Sequence, residues 1–411
     1  MSLVQALKTY AHVRTVPWRF ADRSALTAWQ ERRLQAWLAQ DVPGVAAFAR
    51  PVSTLSELPV MEKTDLMEDF SRYNKAGVTN EAGWGAFAGE KQIGDLIVGA
   101  STGTSGNRGL FVISQRERFA WLGAILAKCL PDFWRMRDRV AILLPVNTPL
   151  YDSANRTRAL RLQFFDIGAP FAEITAQLER FDPTVIVAPP RILRRLAEAG
   201  SALNPRKIFA GSETLDPVDR SPIEAGFGLR LGQIYMATEG LLATTCDHGS
   251  LHLAEDCMHF ELEPKSGGLV TPIISDFNRR TQIMARYRMN DLLRLSDEPC
   301  ICGSPLRRVA EVVGRQDDVF ELGGIEVTPD VLRNAVVDAD RAISDFALAQ
   351  VSARTVELGL AETLAASARE AARAAVLDAI QRKGACADVR LTPLADHRPG
   401  KLRRVRRDWK G

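Results

Sequence analysis

The sequence is poor in the features that would settle its class at once. It holds only 6 cysteines in 411 residues, which in a large chain are better read as free thiols or metal ligands than as a disulfide framework. No apolar run is long enough to cross a bilayer. The longest, FAWLGAILAKCL at 119–130, carries Lys128 and falls well short of the about 20 residues a spanning helix needs. The opening MSLVQALKTYAHVR has no continuous apolar stretch followed by a small-residue cleavage site, so no secretory signal and a cytoplasmic location are expected. Neither sign of charge dominates: 53 basic and 50 acidic residues give a formal net charge of +3, with no global pull toward nucleic acid. Internal repeats and low-complexity tracts are absent. The one basic concentration, Lys401, Arg403, Arg404, Arg406, Arg407 and Lys410, has no aromatic platform or reading helix beside it. It is read as a solvated, anion-facing segment of an enzyme rather than a nucleic-acid arm.

What is present is text for more than one core, since 411 residues with 46% hydrophobic content exceed the size at which single cores usually divide. SALTAWQERRLQAWLAQ, 24–40, has helical apolar spacing and a stop at 41–44. From residue 94 the run DLIVGA leads into a Gly/Ser/Thr loop, an apolar helix and the buried strand RVAILLP. PTVIVAPP before RILRRLAEAG, and RKIFAGSETL, repeat that α/β rhythm. Shorter alternating strands between 241 and 295 predict an added β-rich layer. Beyond GRQDD, 314–318, Thr328 and Pro329 mark a helix start, FALAQVS and TVELGLA read as strands, 364–383 as an Ala-rich helix and ADVRLTPL as a last strand. The expected architecture is α/β: a large multi-layer domain with a β-rich subdomain over 1–314, and a small α+β domain over 315–411.

STGTSGNRG, 101–109, is read as following a strand and preceding a helix. Gly103, Gly106 and Gly109 permit a tight turn that aims N–H groups at an anion, while Ser101, Thr102, Thr104 and Ser105 add hydroxyls, a cradle suited to the β- and γ-phosphates of ATP. It lacks the ending of a Walker loop. Such a loop alone is usually only a loop, but its residue order resembles STGTTGKPKG, the phosphate-binding signature of the acyl-adenylate-forming (AMP-binding) superfamily of acyl-CoA synthetases, adenylation domains and luciferases. Asn107 stands where lysine is common, leaving positive charge to Arg108.

Further motifs follow in the family's order. FAGSETL, with Gly211, Ser212 and Glu213, resembles the adenine-flanking segment. QIYMATEG resembles YGxTE, which implies that Thr238 meets the α-phosphate and Glu239 binds magnesium, with Tyr235 beside the nucleotide and Met236 replacing a glycine. A carboxylate-held Mg²⁺ suits phosphate activation because the metal offsets charge on the triphosphate and the leaving pyrophosphate. YRMND resembles YRTGD and puts Asp291 on the ribose diol, for which a two-oxygen carboxylate is a good acceptor. In GRQDD the resemblance assigns Arg315 to phosphates and ribose and Asp317 to a hinge about which the small domain moves. RPGKLRR resembles the closing PxGK motif, making Lys401 the catalytic lysine, able to stabilise charge as the acyl-phosphate bond forms. Residues before 90 carry no usable motif.

Cys300 and Cys302 in CICG, with Cys246, His248 and His252 upstream, offer a chemically sensible tetrahedral zinc set, though CxC is a weaker signal than paired CxxC knuckles. The segments resemble those of phenylacetate-CoA ligases and coenzyme F390 synthetase-like proteins, which implies a structural zinc on Cys246, His252, Cys300 and Cys302, with His248 the substitute and Cys257 less suited. The resemblance implies ATP-dependent activation of a carboxylic acid, aromatic in the nearest relatives, as acyl-AMP. Transfer would go to a thiol, coenzyme A or the phosphopantetheine of an acyl carrier protein. Tyr151, Phe164, Phe165 and Met236 are candidate pocket residues, though such residues are more often core. A catalytically inactive nucleotide-binding protein, a non-thiol acceptor and a homodimer remain open at this point.

Overall fold

The computed structural model describes residues 2–101, 108–144, 160–395 and 401–410. Five short apolar segments form a parallel block in the order Leu160–Asp166, Asp138–Leu144, Val185–Ala188, Lys207–Gly211, Leu231–Ala237. Their near-continuous hydrophobicity, as in VAILL and VIVA, reflects burial on both faces. On one face lies the helix Gln115–Cys129, started by a capping box between Ser114 and Glu117. Helix Ser2–Arg19 crosses it so closely that a Cβ on Gly123 would stand 2.2 Å from the Ala6 carbonyl oxygen. On the other face Phe171–Phe181, Pro190–Glu198 and Pro217–Phe227 bury Leu178, Leu193, Leu196 and Ile223 against Leu143 and Ile186. This is a doubly wound arrangement.

The same sheet continues as antiparallel strands, Gly240–Thr245, Leu251–Leu253, Arg308–Arg315, Asp291–Ser296, Val270–Ser275 and His259–Pro264, which form the added β-rich layer. Helix Arg23–Gln40 packs Leu34, Trp37 and Leu38 onto it. The C-terminal part has its own core of Phe320, Val336, Phe346, Leu358, Val376 and Ile380. Helices Pro329–Ala339 and Ala366–Arg382 pack with a four-stranded sheet ordered Asp388–Pro393, Thr355–Leu360, Phe346–Gln350, Val405–Arg407. The fold is thus the multi-layer α/β architecture with a β-rich addition and a small α+β part. Among the described residues no helix is long and apolar enough to cross a membrane.

Two sequence expectations are corrected. The glycine-rich loop does not run from strand to helix. It joins Leu96–Ala100 to Leu110–Ser114, an antiparallel pair in which Ser101 N–H donates to the Gly109 carbonyl at 2.8 Å. The strand LFVIS abuts the apolar helix, so hydrophobicity alone does not separate them. The basic tail is not simply solvated either. Arg404 is buried against Asp216, Asp219 and Asp345, Arg403 pairs with Asp318, and Arg407 with Glu321.

Candidate functional site

The parallel strands end at one rim, where doubly wound sheets commonly bind ligands. Strand Lys207–Gly211 stops there, and Ser212 follows at φ +70°, a left-handed conformation that non-glycine residues seldom adopt and that often marks a functional turn. The next residue, Glu213, enters the cleft: its Oε1 accepts from the Leu402 N–H at 3.1 Å and lies 3.1 Å from Arg191 Nε. The turn between Leu231–Ala237 and Gly240–Thr245 presents Thr238 and Glu239. Tyr235 Oη donates to Asp291 Oδ2 at 2.6 Å, and Asp291 sits opposite Arg315 in the neighbouring strand pair. Ser101, Gly211, Ser212, Glu213, Tyr235, Thr238, Glu239, Asp291, Arg315, Asp317 and Lys401 all line one cleft of about 2400 Å³. Residues as distant in sequence as Ser101 and Lys401 therefore meet at one rim.

The cleft is electrostatically tense. Burial raises the Asp291 carboxyl above the ordinary carboxylate range, against the pull of the Tyr235 hydrogen bond and Arg315. Burial likewise raises Glu213, against Arg191. The Lys401 ammonium is lowered by burial and then by Arg315, while Glu213, Asp291 and Glu239 oppose the shift. Perturbed groups converging in a cleft are what an ionic ligand site requires. The phenol of Tyr287, raised above its usual value by burial and by Glu239, hydrogen-bonds the Glu239 carboxylate. The Glu239 carboxylate, oriented in this way, suits Mg²⁺, which ordinarily takes one or two protein carboxylates together with substrate phosphates. Asp317, the expected hinge, is held by Asn290, whose Nδ2 donates to Asp317 Oδ2 at 2.5 Å.

Away from the cleft, Cys246, His252, Cys300 and Cys302 bring their ligand atoms within 4.8 Å of one another. Cys246 Sγ and Cys300 Sγ are 3.8 Å apart, and Cys302 Sγ is 3.5 Å from His252 Nε2. Zn–S bonds of about 2.3 Å and a Zn–N bond of about 2.0–2.1 Å at the tetrahedral angle require edges of about 3.8 and 3.5 Å. His252 Nδ1 lies 3.0 Å from the Leu306 carbonyl, which fixes the ring with Nε2 toward the thiols, the usual outer partner of a metal-binding histidine. The donor set fits zinc. His248 is outside this cluster, and Cys257 is a half-buried thiol on the cleft wall.

Thr102, Gly103, Thr104, Ser105, Gly106 and Asn107 lie outside the described residues, as do Tyr151 and the Pro-Gly pair before Lys401. Met236 lines the cleft, whereas Phe165 does not. Strand alternation turns Phe165 to the opposite face, where it packs on Phe181. Phe164 packs in the core beneath helix Gln115–Cys129. Four contributors carried no readable motif. Lys63 Nζ reaches Ser101 Oγ at 3.4 Å, and burial lowers its ammonium. Glu117 joins its helix to a distant loop by accepting from Arg280 N–H, Thr281 N–H and Thr281 Oγ1 at 2.6, 2.8 and 2.6 Å. That loop supplies Asp276 and Arg279 to the cleft wall. Only the capping pattern SQRE could have drawn attention to Glu117.

No family model matches the chain. The phenylacetate-coenzyme A ligase of Pseudomonas putida is 23% identical over 350 residues, 78% of this chain and 77% of that protein. The enzyme of the same name from Thermus thermophilus is 25% identical over 171 residues, only 37% of this chain and 38% of its own length. Protein CapK of Staphylococcus aureus is 24% identical over 153 residues, 35% and 34% of the two chains. Among solved structures, a 2-hydroxyisobutyryl-CoA ligase in its postadenylation state superposes with TM-score 0.69 at 19% identity, covering 94% of this chain and 89% of that one. The amide bond synthetase McbA of Marinactinospora thermotolerans superposes with TM-score 0.54 at 15% identity, over 70% and 64%. The fold is that of the adenylate-forming ligases. In sequence the chain is similar to the phenylacetate-CoA ligase branch of the AMP-binding superfamily, through the two phenylacetate-coenzyme A ligases and CapK.

Proposed function

We propose that this chain is an acid-thiol ligase that uses ATP to convert a carboxylic acid to acyl-AMP and then passes the acyl group to a thiol, of coenzyme A or of a carrier protein's phosphopantetheine. The observation that carries this reading is the convergence of Thr238, Glu239, Asp291, Arg315 and Lys401 on one cleft. Asp291, oriented by Tyr235, accepts the ribose hydroxyls, and Arg315 faces the phosphates. Ser101 and the loop after it, with Lys63, are the groups proposed to bind the β- and γ-phosphates, and Gly211, Ser212 and Glu213 flank the adenine. The substrate carboxylate oxygen attacks the α-phosphorus, and the bond from that phosphorus to the bridging oxygen of pyrophosphate breaks. Lys401 and Thr238 stabilise the charge that develops there. Magnesium, held by Glu239, would offset charge on the phosphates. Residues 315–411 act as a lid that turns about Asp317 between the two half-reactions. Zinc on Cys246, His252, Cys300 and Cys302 would be structural, since four protein ligands leave no open position for chemistry. The acid is proposed to be aromatic, in keeping with the apolar walls formed by Phe111, Trp121, Ile125 and Met236.

The test is pyrophosphate release from ATP and Mg²⁺ across a panel of aryl and aliphatic acids, with and without coenzyme A. Acid-dependent release is expected, and Lys401→Ala should lower it by roughly 10²–10³-fold, as expected for loss of one transition-state donor. ATP binding without release for any acid would instead identify a nucleotide-binding protein.

A further inference from the structure

Beside the turn that presents Thr238 and Glu239, the cleft wall holds an ionic pair that the adenylation reading does not use. Arg279 is 8% exposed. Its Nη2 donates to the Thr238 carbonyl at 2.9 Å, yet its buried Nη1 has no hydrogen-bond partner. Its Nε stands 3.8 Å from Asp276 Oδ2, too far for a hydrogen bond. Asp276 is buried as well: Oδ1 accepts from the Asn278 N–H at 2.9 Å, and Oδ2 lies 3.9 Å from where a Cβ on Gly240 would stand. Both side chains line the cleft, with the Phe111 ring 5.8 Å from the Arg279 Cζ. Glu117, which also faces this corner, commits its oxygens to Ser114, Arg280 and Thr281. The corner therefore offers one unpartnered donor and one carboxylate acceptor beside the Phe111 ring. A buried donor without a partner carries a desolvation cost, which persists most readily where a ligand supplies the missing acceptor.

We propose that Arg279 and Asp276 select an acid bearing a hydroxyl close to its carboxyl group, the hydroxyl oxygen accepting from Arg279 Nη1 and its hydrogen donating to Asp276 Oδ2. A hydroxyl is the small group that satisfies both at once. Its place along the substrate follows from Thr238: the two guanidinium nitrogens share one carbon, so the open N–H lies one guanidinium width from the carbonyl that precedes Glu239, near the reacting end of the acid. The inference rests on the adenylation reading and refines its substrate class.

The experiment measures kcat/KM for pyrophosphate release with matched pairs: 2-hydroxybenzoate and benzoate, 2-hydroxy-2-phenylacetate and phenylacetate, 2-hydroxy-2-methylpropanoate and 2-methylpropanoate, with 4-hydroxybenzoate as the distal control. In at least one pair the hydroxylated acid is expected to be preferred by tenfold or more, since a site built to hydrogen-bond a hydroxyl discriminates strongly against the analogue without one. That ratio should fall toward one in Arg279→Gln and in Asp276→Asn, with Arg279→Lys restoring part of it. A purely structural role would lower both members of a pair together and leave the ratio intact, overturning the proposal. If Arg279→Gln does not fold, Asp276→Asn and the wild-type ratios decide. Wild-type turnover of deoxy acids as fast as their hydroxylated partners, or a preference for 4-hydroxybenzoate alone, refutes the inference while adenylation stands. Release with no acid at all removes both.

Discussion

The phenol of Tyr235 and the carboxylate of Asp291 show how one hydrogen bond prepares a ligand site. The 2.6 Å bond from Tyr235 Oη fixes the carboxylate plane and opposes the rise in proton affinity that burial imposes on Asp291. Removing the hydroxyl in Tyr235→Phe deletes a hydrogen bond to an ionised group, worth about 1.5–3 kcal/mol. Roughly tenfold weaker ATP use, read as KM for ATP in the pyrophosphate assay, is the expected outcome. The sign of the pH effect follows. The hydrogen bond lowers the Asp291 value, so its loss lets that value rise further, and the acid limb of kcat/KM for ATP should move to higher pH in the variant. An unchanged limb would mean that Asp291 does not meet the nucleotide in its ionised form.

At the scale of elements, the Cys246, His252, Cys300 and Cys302 cluster draws its members from three parts of the antiparallel layer. Cys246 follows the strand Gly240–Thr245, His252 lies in Leu251–Leu253, and the two later cysteines occupy the turn before Arg308–Arg315. That last strand ends in Arg315, so a metal held by the cluster would anchor the element that delivers a cleft residue. Purified protein is expected to carry about one zinc per chain, as a closed four-ligand site holds one ion. Chelation or Cys300→Ser should remove it and lower the thermal midpoint, measured by calorimetry alongside metal analysis. Full stability in metal-free protein would deny the site a folding role.

At the scale of the whole molecule, the C-terminal part is locked over the cleft by charges from both sides. Arg404 Nη1 meets Asp216 Oδ2 and Asp219 Oδ2, each at 2.6 Å, and Arg194 donates to the Ser344 carbonyl at 2.9 Å. Leu402 N–H on Glu213 belongs to the same contact and holds Lys401 at the site. Breaking a buried pair from one side costs about 3–5 kcal/mol, reduced here because Arg194 and Arg333 still face the orphaned aspartates. Arg404→Ala should therefore lower acyl-AMP formation by roughly 10²-fold, the equivalent of about 2.7 kcal/mol. Thioester formation from supplied acyl-AMP should change far less. Equal losses in both half-reactions would argue against a lid that is closed only for the first.

The two halves of this picture have different origins. Sequence alone determined the α/β rhythm, because buried parallel strands must be continuously apolar. It also determined the helix start at Thr328 and Pro329, because capping is a matter of a few adjacent residues. The order of short motifs was legible for the same reason: each sits where the chain turns at a strand end, and turns restrict residue choice locally. Tertiary structure decided what depends on direction and long-range meeting. Phe165 faces away from the cleft because alternation counts from a register that pairing sets. The glycine-rich loop proved a hairpin because Leu110–Ser114 finds its partner in Leu96–Ala100. Lys63, Asp276 and Arg279 reach the cleft although nothing in their own neighbourhoods announces it, since their burial and partners are supplied by segments far away in sequence. The tail's arginines were legible as charge. Only the folded chain, by bringing Asp216 and Asp219 against Arg404 and removing water, turned that charge into a lock.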